Sequence, residues 1–397
     1  MAIVEPEQEE IRKIENNGLP TRFARGWHCL GLSEKFKDGK PHTVKAFGQK
    51  LVVFTGQDGV INVLDAYCRH MGADLSTGTV KGNEIACPFH DWRWGGDGRC
   101  KDIPYARRVP LRARTSTWPT LDQDGLLFVW NDPEGNPPPE NVTIPKIRGA
   151  MTDGWTKWFW NEIVVDTSTR EVVDNVVDMA HFFYVHGNFP TYFKNVFEGH
   201  VATQYFDGDI REDMAPESVD PNAPKMLKTI SEASYYGPSF MIDELKYVYD
   251  RFEMDTIFIN CHYPIDENSL VLMSGIIVEK SPDLEEDAEQ IAADQAAWVL
   301  RGFAQDVEIW KSKTRIDNPL LCEEDGPVYQ LRRWYEQFFV DVADVQPEMT
   351  DRFEYELDTE RPMESWHKEV AHQLALRKAA AEQAAQQAAE QAAEQLV

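Results

Sequence analysis

The sequence is short of positive charge, of cysteine and of long apolar runs, and each shortage excludes a class of protein. Its 397 residues carry 67 Asp and Glu against 40 Lys and Arg, a formal net charge of −27. Proteins that bind nucleic acid or anionic lipid need a basic surface, so this charge argues against both. Six cysteines are too few for a disulfide scaffold. No apolar run approaches the roughly 18 residues of a membrane span.

Two further sequence signals are absent. The N-terminus is acidic and has no apolar segment of the secretory type, so we expect a cytoplasmic protein. No G-x-G-x-x-G motif stands between a strand and a helix, and there is no Walker loop. We therefore expect no nicotinamide site on this chain, and a redox reaction would need electrons from a separate protein.

The charges are unevenly distributed along the chain. Residues 20–130 include 16 basic and 11 acidic residues, so the excess of carboxylates lies mainly in 131–377. This difference indicates two domains with different surfaces.

Turn residues and hydrophobic patterns divide the chain into segments. Short apolar runs separated by Asp-Gly turns predict a small, loop-rich β domain. Three successive prolines end it, because proline continues neither a helix nor a central strand. Longer alternating stretches and a long helix then predict an α+β domain with an antiparallel sheet. The segments are an N-terminal extension (1–19), the β domain (20–131), a Pro-rich linker (132–145), the α+β domain (146–377) and an Ala/Gln/Glu tail (378–397) that we expect to be a frayed or disordered appendage.

Hydrophobic periodicity locates the main elements of the second domain. We expect strands at 155–165, 197–205, 228–236, 239–249, 254–262 and 270–279, and helices at 169–185, 282–313 and 326–340.

Two cysteine–histidine pairs form the first chemical constellation. Cys68 and His70 are followed by Cys87 and His90, and each pair lies in a loop beside predicted strands. Zinc binds two Cys and two His, but the common zinc finger places both Cys together and both His together. The alternating order suits two irons with different ligands, as in a 2Fe–2S centre where two His replace two Cys on one iron. Zinc remains the alternative.

A second pair of histidines, His181 and His186, lies five residues apart and close to Asp178. Positions five apart diverge by about 140° on a regular helix, so both can bind one metal only if the helix ends or bulges between them. Gly187 follows directly and predicts such an end. The pattern favours a metal site, with buried structural histidines as the alternative.

The long predicted helix offers a carboxylate as the third ligand. Asp306 lies on one helical stripe with Val299, Phe303 and Trp310. A carboxylate inside an apolar stripe is costly unless it is paired or bound to a metal. Two His and one carboxylate form the facial triad of many non-haem iron sites. The alternative is an Asp bonded to an arginine or to a helix N-terminus.

Taken together, these motifs resemble the Rieske non-haem iron oxygenases, and most closely the family of 3-ketosteroid 9α-hydroxylase oxygenase components. The resemblance implies a small all-β Rieske iron–sulfur domain followed by an α+β, helix-grip-like catalytic domain with an antiparallel sheet. It covers roughly residues 20–370 and rests on the segments 21–29, 65–72, 174–184, 259–264 and 305–310.

The resemblance also implies the metal centres. Cys68 and Cys87 would bind the inner iron of a Rieske 2Fe–2S cluster, and His70 and His90 the outer iron. A mononuclear ferrous iron would be held by a set of three ligands: His181, His186 and Asp306.

Further roles follow from the same resemblance. Asp178 would link a cluster histidine of one subunit to an iron-ligand histidine of its neighbour in a head-to-tail homotrimer. Asn260 would lie close to the iron. The steroid would contact Gln204, Tyr235, Met241, Asn260, Phe303 and Trp310, although core packing explains such residues equally well.

The implied reaction is a hydroxylation that consumes dioxygen and two electrons. Electrons would come from NADH through a separate flavin and iron–sulfur reductase. The substrates would be 3-ketosteroids such as androst-4-ene-3,17-dione and androsta-1,4-diene-3,17-dione, hydroxylated at the 9α position in bacterial steroid degradation. A sterol-ring desaturase or an aromatic-ring dioxygenase is the alternative. A Rieske electron carrier would not need the second domain, and a lipid-binding module would not need its metal ligands.

A basic stretch directly follows the cluster loops. We expect it to contact the acidic domain of the next subunit or an acidic reductase through Arg99, Lys101, Arg107, Arg108, Arg112 and Arg114.

Overall fold

The computed structural model describes residues 13–18, 20–214, 224–280 and 288–394. The first domain is built from three small antiparallel sheets, with strand orders β1-β11-β10, β2-β3-β4-β9 and β5-β6-β7-β8. Its strands are β1 (Gly26–Leu32), β2 (His42–Ala46), β3 (Gln49–Thr55), β4 (Ile61–Asp65), β5 (Thr79–Lys81), β6 (Glu84–Ala86), β7 (Arg93–Gly95), β8 (Cys100–Asp102), β9 (Thr117–Trp118), β10 (Thr120–Gln123) and β11 (Leu126–Asn131).

The second domain is one antiparallel sheet of eight strands with helices packed on it. The strands are β12 (Phe159–Val165), β13 (Asn188–Glu198), β14 (Val201–Ile210), β15 (Met226–Tyr236), β16 (Phe240–Tyr249), β17 (Glu253–Pro264), β18 (Leu270–Val278) and β19 (Phe353–Glu356). Their order in the sheet is β12-β18-β17-β16-β15-β14-β13-β19. The helices are α1 (Thr169–Val173), α2 (Ala180–Tyr184), α3 (Ala288–Ser312), α4 (Val328–Glu336), α5 (Pro347–Thr350) and α6 (Glu360–Glu394).

Strand β17 is buried on both faces because the sheet lies between the first domain and α3. On one face, Ile257 and Ile259 join the core of the first domain. On the other, Phe258 packs against Phe303 of α3, with 5.3 Å between the ring centroids. The same shared core places Phe128 of β11 against Phe240 of β16 at 4.8 Å. The two domains are therefore joined by a continuous apolar core.

The predicted fold class is confirmed, since an all-β domain precedes an α+β domain with an antiparallel sheet. The segment 132–145 contains no regular helix or strand, although the domain boundaries themselves remain predictions. Within the described residues, no helix combines the length and the hydropathy that a membrane crossing requires.

The helix predicted at 169–185 is broken. A 3₁₀ turn (Asp174–Val177) follows α1, and α2 begins only at Ala180. Between them, Asp178 has an extended backbone with φ −90° and ψ 105°. The prediction of a continuous helix failed because a hydrophobic pattern does not reveal a single extended residue.

The other element predictions differ mainly at their ends. The strand predicted at 197–205 is wrong, because it crosses the turn at Gly199 (φ 57°) between β13 and β14. The long helix is described from residue 288, and its predicted start at 282 lies outside the described residues. Helix α4 is shorter than the predicted 326–340.

The tail predicted to be frayed or disordered is helical as far as the structure describes it. Helix α6 continues to Glu394, because Ala, Gln and Glu have high helix propensity. Its first turns are held by Trp366, which stacks on Phe183 of α2 with 4.8 Å between the ring centroids.

Candidate active site

Two loops of the first domain carry the cysteine–histidine pairs and have matching backbone turns. In one loop the N–H of Gly72 donates to the carbonyl of Cys68 at 2.8 Å; in the other the N–H of Asp91 donates to the carbonyl of Cys87 at 3.0 Å. Gly72 and Asp91 both have positive φ, 79° and 54°. The two loops therefore turn in the same way, so that Cys68 and Cys87 occupy matching positions in their loops, as do His70 and His90.

The thiols lie inside these loops and the imidazoles lie outside. Cys68 and Cys87 are 2% and 4% exposed and lie beside each other, and burial raises the pKa of the Cys68 thiol. The rings of His70 and His90 are half-buried with 4.9 Å between their centroids. Nδ1 of each ring is buried and has no hydrogen-bond partner among the described residues. Two inner thiols and two outer ring nitrogens fit a 2Fe–2S cluster with different ligands on its two irons.

The second site is built where α2 ends. His181 lies on α2 and His186 follows the helix, whose last turn closes with the N–H of Val185 donating to the carbonyl of His181 at 2.7 Å. Gly187 then has φ 70° and directs the chain into β13. Because the helix ends between the two histidines, both imidazoles can point to the same place although the residues are five positions apart.

Asp306 of α3 completes the set. One potential ligand atom from each of His181, His186 and Asp306 lies within 4.8 Å of the other two. Nε2 of His186 is 3.3 Å from Oδ2 of Asp306. Asp306 is 7% exposed, and a buried carboxylate needs a cation or a donor beside it. Two imidazoles and one carboxylate converging on one point fit a facial triad with open positions for iron.

The His181 ring is held in the orientation that a metal ligand needs. Its Nδ1 lies 2.6 Å from the carbonyl oxygen of Asp178, so Nδ1–H donates and Nε2 keeps its lone pair. The extended backbone of Asp178 aims this carbonyl at the ring. The backbone N–H of His181 also donates to Oδ1 of Asp178 at 3.2 Å.

Asp178 connects this site to the surface. Its side chain is 47% exposed, with Oδ1 3.8 Å from Nδ1 of His181. Partial burial raises the pKa of Asp178, whereas the hydrogen bonds and the charge of His181 lower it. The lowering effects together are larger, so the pKa of Asp178 lies below its usual value. An ionised carboxylate is therefore available on the outer side of the His181 ring.

Sequence analysis missed a residue that holds α2 in place. Arg211 is 5% exposed, and its Nη1 donates to the carbonyl of Phe183 at 2.6 Å. Nε and Nη2 bind both carboxylate oxygens of Asp213, at 3.0 and 2.8 Å. The guanidinium also lies 4.0 Å from the Phe183 ring centroid. Arg211 is distant from α2 in sequence, and no motif indicated its contact with Phe183.

The predicted substrate residues share one layer between the sheet and α3. Tyr235, Met241 and Asn260 are direct neighbours across β15, β16 and β17. Gln204 of β14 lies on the same face of the sheet. Phe303 of α3 packs on this face of the sheet through its contact with Phe258.

Two of the predicted substrate residues have polar groups that differ in their partners. Nε1 of Trp310 donates to Oδ1 of Asn175 at 3.4 Å, which ties α3 to the turn before Asp178. Oδ1 of Asn260 is buried without a partner among the described residues. This layer is therefore mostly apolar, with a few polar groups.

Comparisons with known proteins agree with this architecture. A model of the 3-Ketosteroid 9alpha-hydroxylase C-terminal domain matches residues 129–339, and a model of the Rieske [2Fe-2S] domain matches residues 26–118. The chain is 63% identical over 383 residues to a 3-ketosteroid-9-alpha-monooxygenase, oxygenase component, from Rhodococcus rhodochrous, with 96% of each chain covered. A protein of the same name from Mycobacterium tuberculosis (strain ATCC 25618 / H37Rv) is 57% identical, covering 93% of this chain and 96% of its own.

The crystal structure of dicamba monooxygenase bound to dicamba has the same fold, with a TM-score of 0.63 and 19% identity over 80% of this chain and 97% of that one. The family match spans more than half of the chain, and the identity to full-length relatives is high. This chain therefore belongs to the 3-ketosteroid 9α-hydroxylase family, with a Rieske [2Fe-2S] domain preceding that family's C-terminal domain.

Proposed function

We propose that this chain is the terminal oxygenase of a two-component system that hydroxylates 3-ketosteroids at the 9α position. The observation that carries the proposal is the convergence of His181, His186 and Asp306 beside an apolar layer. The names of the full-length relatives supply the substrate class. Androst-4-ene-3,17-dione and androsta-1,4-diene-3,17-dione are the substrates we expect.

The three convergent side chains would hold a mononuclear ferrous iron. When bound, such an iron supplies the activation of dioxygen. His181 contributes Nε2 because its Nδ1–H is committed to the carbonyl of Asp178. Asp306 contributes the negative charge, in surroundings where water does not compete for it. Three protein ligands would leave the remaining coordination positions of the iron for dioxygen and substrate.

The chain's own contribution to substrate recognition is apolar burial. A steroid has few polar groups, so most of its binding free energy comes from apolar surface removed from water. Tyr235, Met241 and Phe303 supply such surface, and Gln204 and Asn260 supply the polar contacts that orient a keto group. These assignments come from the family resemblance, and the layer that the residues share supports them.

The 2Fe–2S cluster would be held by Cys68, Cys87, His70 and His90. It accepts and releases single electrons, and its two neutral His ligands raise its reduction potential. His70 and His90 form the outer, partly exposed side of this site, and the two cysteines form its buried side.

Electrons would pass between copies of the chain. Within one chain, the sheet of the second domain separates the first domain from α3 and the metal ligands. A neighbouring chain could instead place its cluster tip, the end of the first domain where the two cysteine–histidine loops lie, against the half-exposed Asp178. The tip has exposed apolar side chains suited to such a contact, namely Tyr67, Met71, Phe89 and Tyr105. These features support a head-to-tail homotrimer, in which Asp178 bridges His181 and a cluster histidine.

The basic stretch has unpaired charges that could receive a partner. Lys101 and Arg99 are paired with Asp97. Arg107, Arg108 and Arg112 are exposed and, among the described residues, have no carboxylate within ion-pair distance. They fit either the acidic domain of the next subunit or an acidic flavin and iron–sulfur reductase. The cytoplasmic location expected from the sequence is part of the same proposal.

Product identification tests the proposed function. The purified chain, a flavin and iron–sulfur reductase and NADH would be incubated with androst-4-ene-3,17-dione. We expect the 9α-hydroxy product, identified by mass and by proton NMR. A desaturated ring, a dihydroxylated ring or no steroid product under coupled turnover would contradict the proposal.

A further inference from the structure

A cavity of about 560 Å³ lies at the junction of the two domains. Its floor consists of buried residues from both: Ala24 and His28 from the first domain, and His262 and Pro264 from β17. Segments at α1 and α4 form the walls. None of the residues that line it is a predicted metal, cluster or substrate residue, so this cavity is separate from the site described above. Its volume is within the range of small-molecule sites.

Polar atoms without partners are concentrated at this cavity. The His262 side chain is completely buried, and neither of its ring nitrogens has a hydrogen-bond partner among the described residues. Ser168 Oγ and the Nε atoms of Arg22 and Arg170 are also buried atoms without a hydrogen-bond partner among the described residues, although their side chains are only partly buried. Buried polar groups in folded proteins nearly always have a partner. A molecule in the cavity would supply the partners that the protein does not.

Each of the unpartnered side chains can donate a hydrogen bond. An arginine Nε–H can only donate, and a serine hydroxyl can donate. Burial lowers the pKa of His262 to about 3, so the imidazole is neutral and has one N–H to donate. Five arginines and four carboxylates line the cavity. Arg22 and Arg332 pair with carboxylates outside the lining, and Arg333 has no ion pair among the described residues. One of the lining carboxylates, Asp317, is already bound by Arg170 and Arg315.

The cavity also has apolar surface beside these donors. Phe23 and Phe339 are part of the lining together with Pro264. A bare inorganic anion would leave this surface in contact with water. An organic body attached to the anion would cover it, which is favourable because apolar area is removed from water.

We propose that this cavity is a second small-molecule site, which binds an organic oxyanion with a compact apolar body. The oxygens of a carboxylate or phosphate accept hydrogen bonds from Ser168, His262 and Arg170, and the apolar body packs on Phe23 and Phe339. The bound molecule contacts both domains at their junction. This site is independent of the steroid reaction and does not require it.

Three probes with the same phenyl body separate the contributions. Benzoate carries a carboxylate, phenyl phosphate carries a phosphate and benzyl alcohol carries no charge. Isothermal titration of the full chain with its cofactors should show saturable binding of benzoate, phenyl phosphate or both. Benzyl alcohol should bind at least about tenfold more weakly, since it lacks the charge-assisted hydrogen bonds. The preferred anion tells which of the two chemistries the site takes.

Two variants and a matched control locate the binding. Ser168→Ala and His262→Phe should each weaken anion binding by about tenfold, because each removes one bond to a charged group. Ser274→Ala is the control, since Ser274 Oγ is also buried and unpartnered but does not line this cavity. Thermal unfolding verifies that each variant is folded. Ser168→Ala changes the side-chain volume less than His262→Phe, so it is the variant that disturbs packing least.

Several outcomes would overturn the proposal. They are the absence of saturable binding of either anion up to about 10 mM, equal binding of benzyl alcohol, and an unchanged affinity in Ser168→Ala. An equal loss of affinity in Ser274→Ala would also overturn it. Because binding is measured without steroid or reductase, its failure is distinguishable from failure of the proposed hydroxylation.

Discussion

Replacing Arg211 by methionine tests whether a buried ion pair holds the metal-ligand segment in place. Arg211 binds both oxygens of Asp213 and the carbonyl of Phe183, two residues after His181. Methionine keeps much of the apolar length and removes all three hydrogen-bond donors. The variant leaves Asp213 buried without its cation and frees the last turn of α2.

The expected loss of stability is large for a single substitution. Removing one partner of a buried ion pair costs about 3–5 kcal/mol, because the remaining charge is left desolvated. Arg211 and Asp213 have side chains only 6% and 4% exposed, so this range applies to them. Arg352 provides a matched control, since it pairs with Glu198 and Glu354 but is 54% exposed. Arg352→Met should therefore lower the stability far less than Arg211→Met, because solvent screens an exposed ion pair.

Urea unfolding and metal analysis together check this prediction. We expect Arg211→Met to have a lower unfolding midpoint than Arg352→Met. It should also lose mononuclear iron while the visible spectrum of the Rieske cluster stays intact, because the first domain is not altered. An Arg211→Met protein with wild-type stability and a full complement of mononuclear iron would show that Arg211 does not position the ligands.

The remaining predictions concern catalysis, electron supply, assembly and pH. His181→Ala should abolish hydroxylation and leave the Rieske spectrum unchanged; an active variant would refute the ligand assignment. Steroid and NADH without a reductase should give no turnover, and sustained NADH oxidation would contradict a two-component system. Arg107→Glu with Arg108→Glu should weaken trimers in ultracentrifugation or weaken reductase-coupled turnover, and unchanged assembly, turnover and salt dependence would refute this role. Burial raises the pKa of Asp243 from 3.8 to about 7, so the folded state favours the protonated acid and stability falls as the pH rises between those values. Asp243→Asn should remove this fall in urea titrations at a series of pH values, and an unchanged pH dependence would contradict it.

The local motifs of the candidate site could be recognised from the sequence, whereas the contacts that hold these motifs in place could not. The Cys-x-His and Cys-x-x-His pairs and the His181–His186 spacing are local, so their positions in loops and at a helix end could be inferred. Asp306 could be proposed because a carboxylate is conspicuous on an apolar stripe. Its meeting with the histidines, however, depends on how α3 lies on the sheet.

The parts that escaped prediction depend on contacts between distant segments. The extended backbone at Asp178 interrupts a hydrophobic pattern that reads as one helix. Arg211 contacts Phe183 across 28 residues, and Arg211 itself belongs to no recognisable motif. The burial of β17 on both faces also hides the alternation that would have placed Asn260 on the α3 side.

The continuous core between the domains sets the relative orientation of two surfaces of one chain. One is the tip of the first domain that carries the cysteine–histidine loops, and the other is the surface at Asp178. Phe128 of the first domain and Phe240 of the second pack as neighbours in one hydrophobic core, which restricts rotation of one domain against the other. A head-to-tail contact is heterologous, and such contacts close into a ring only if the rotation per copy is a whole fraction of a turn. The symmetry of a ring assembled in this way would therefore be set inside each chain, at the domain junction, before any two copies meet.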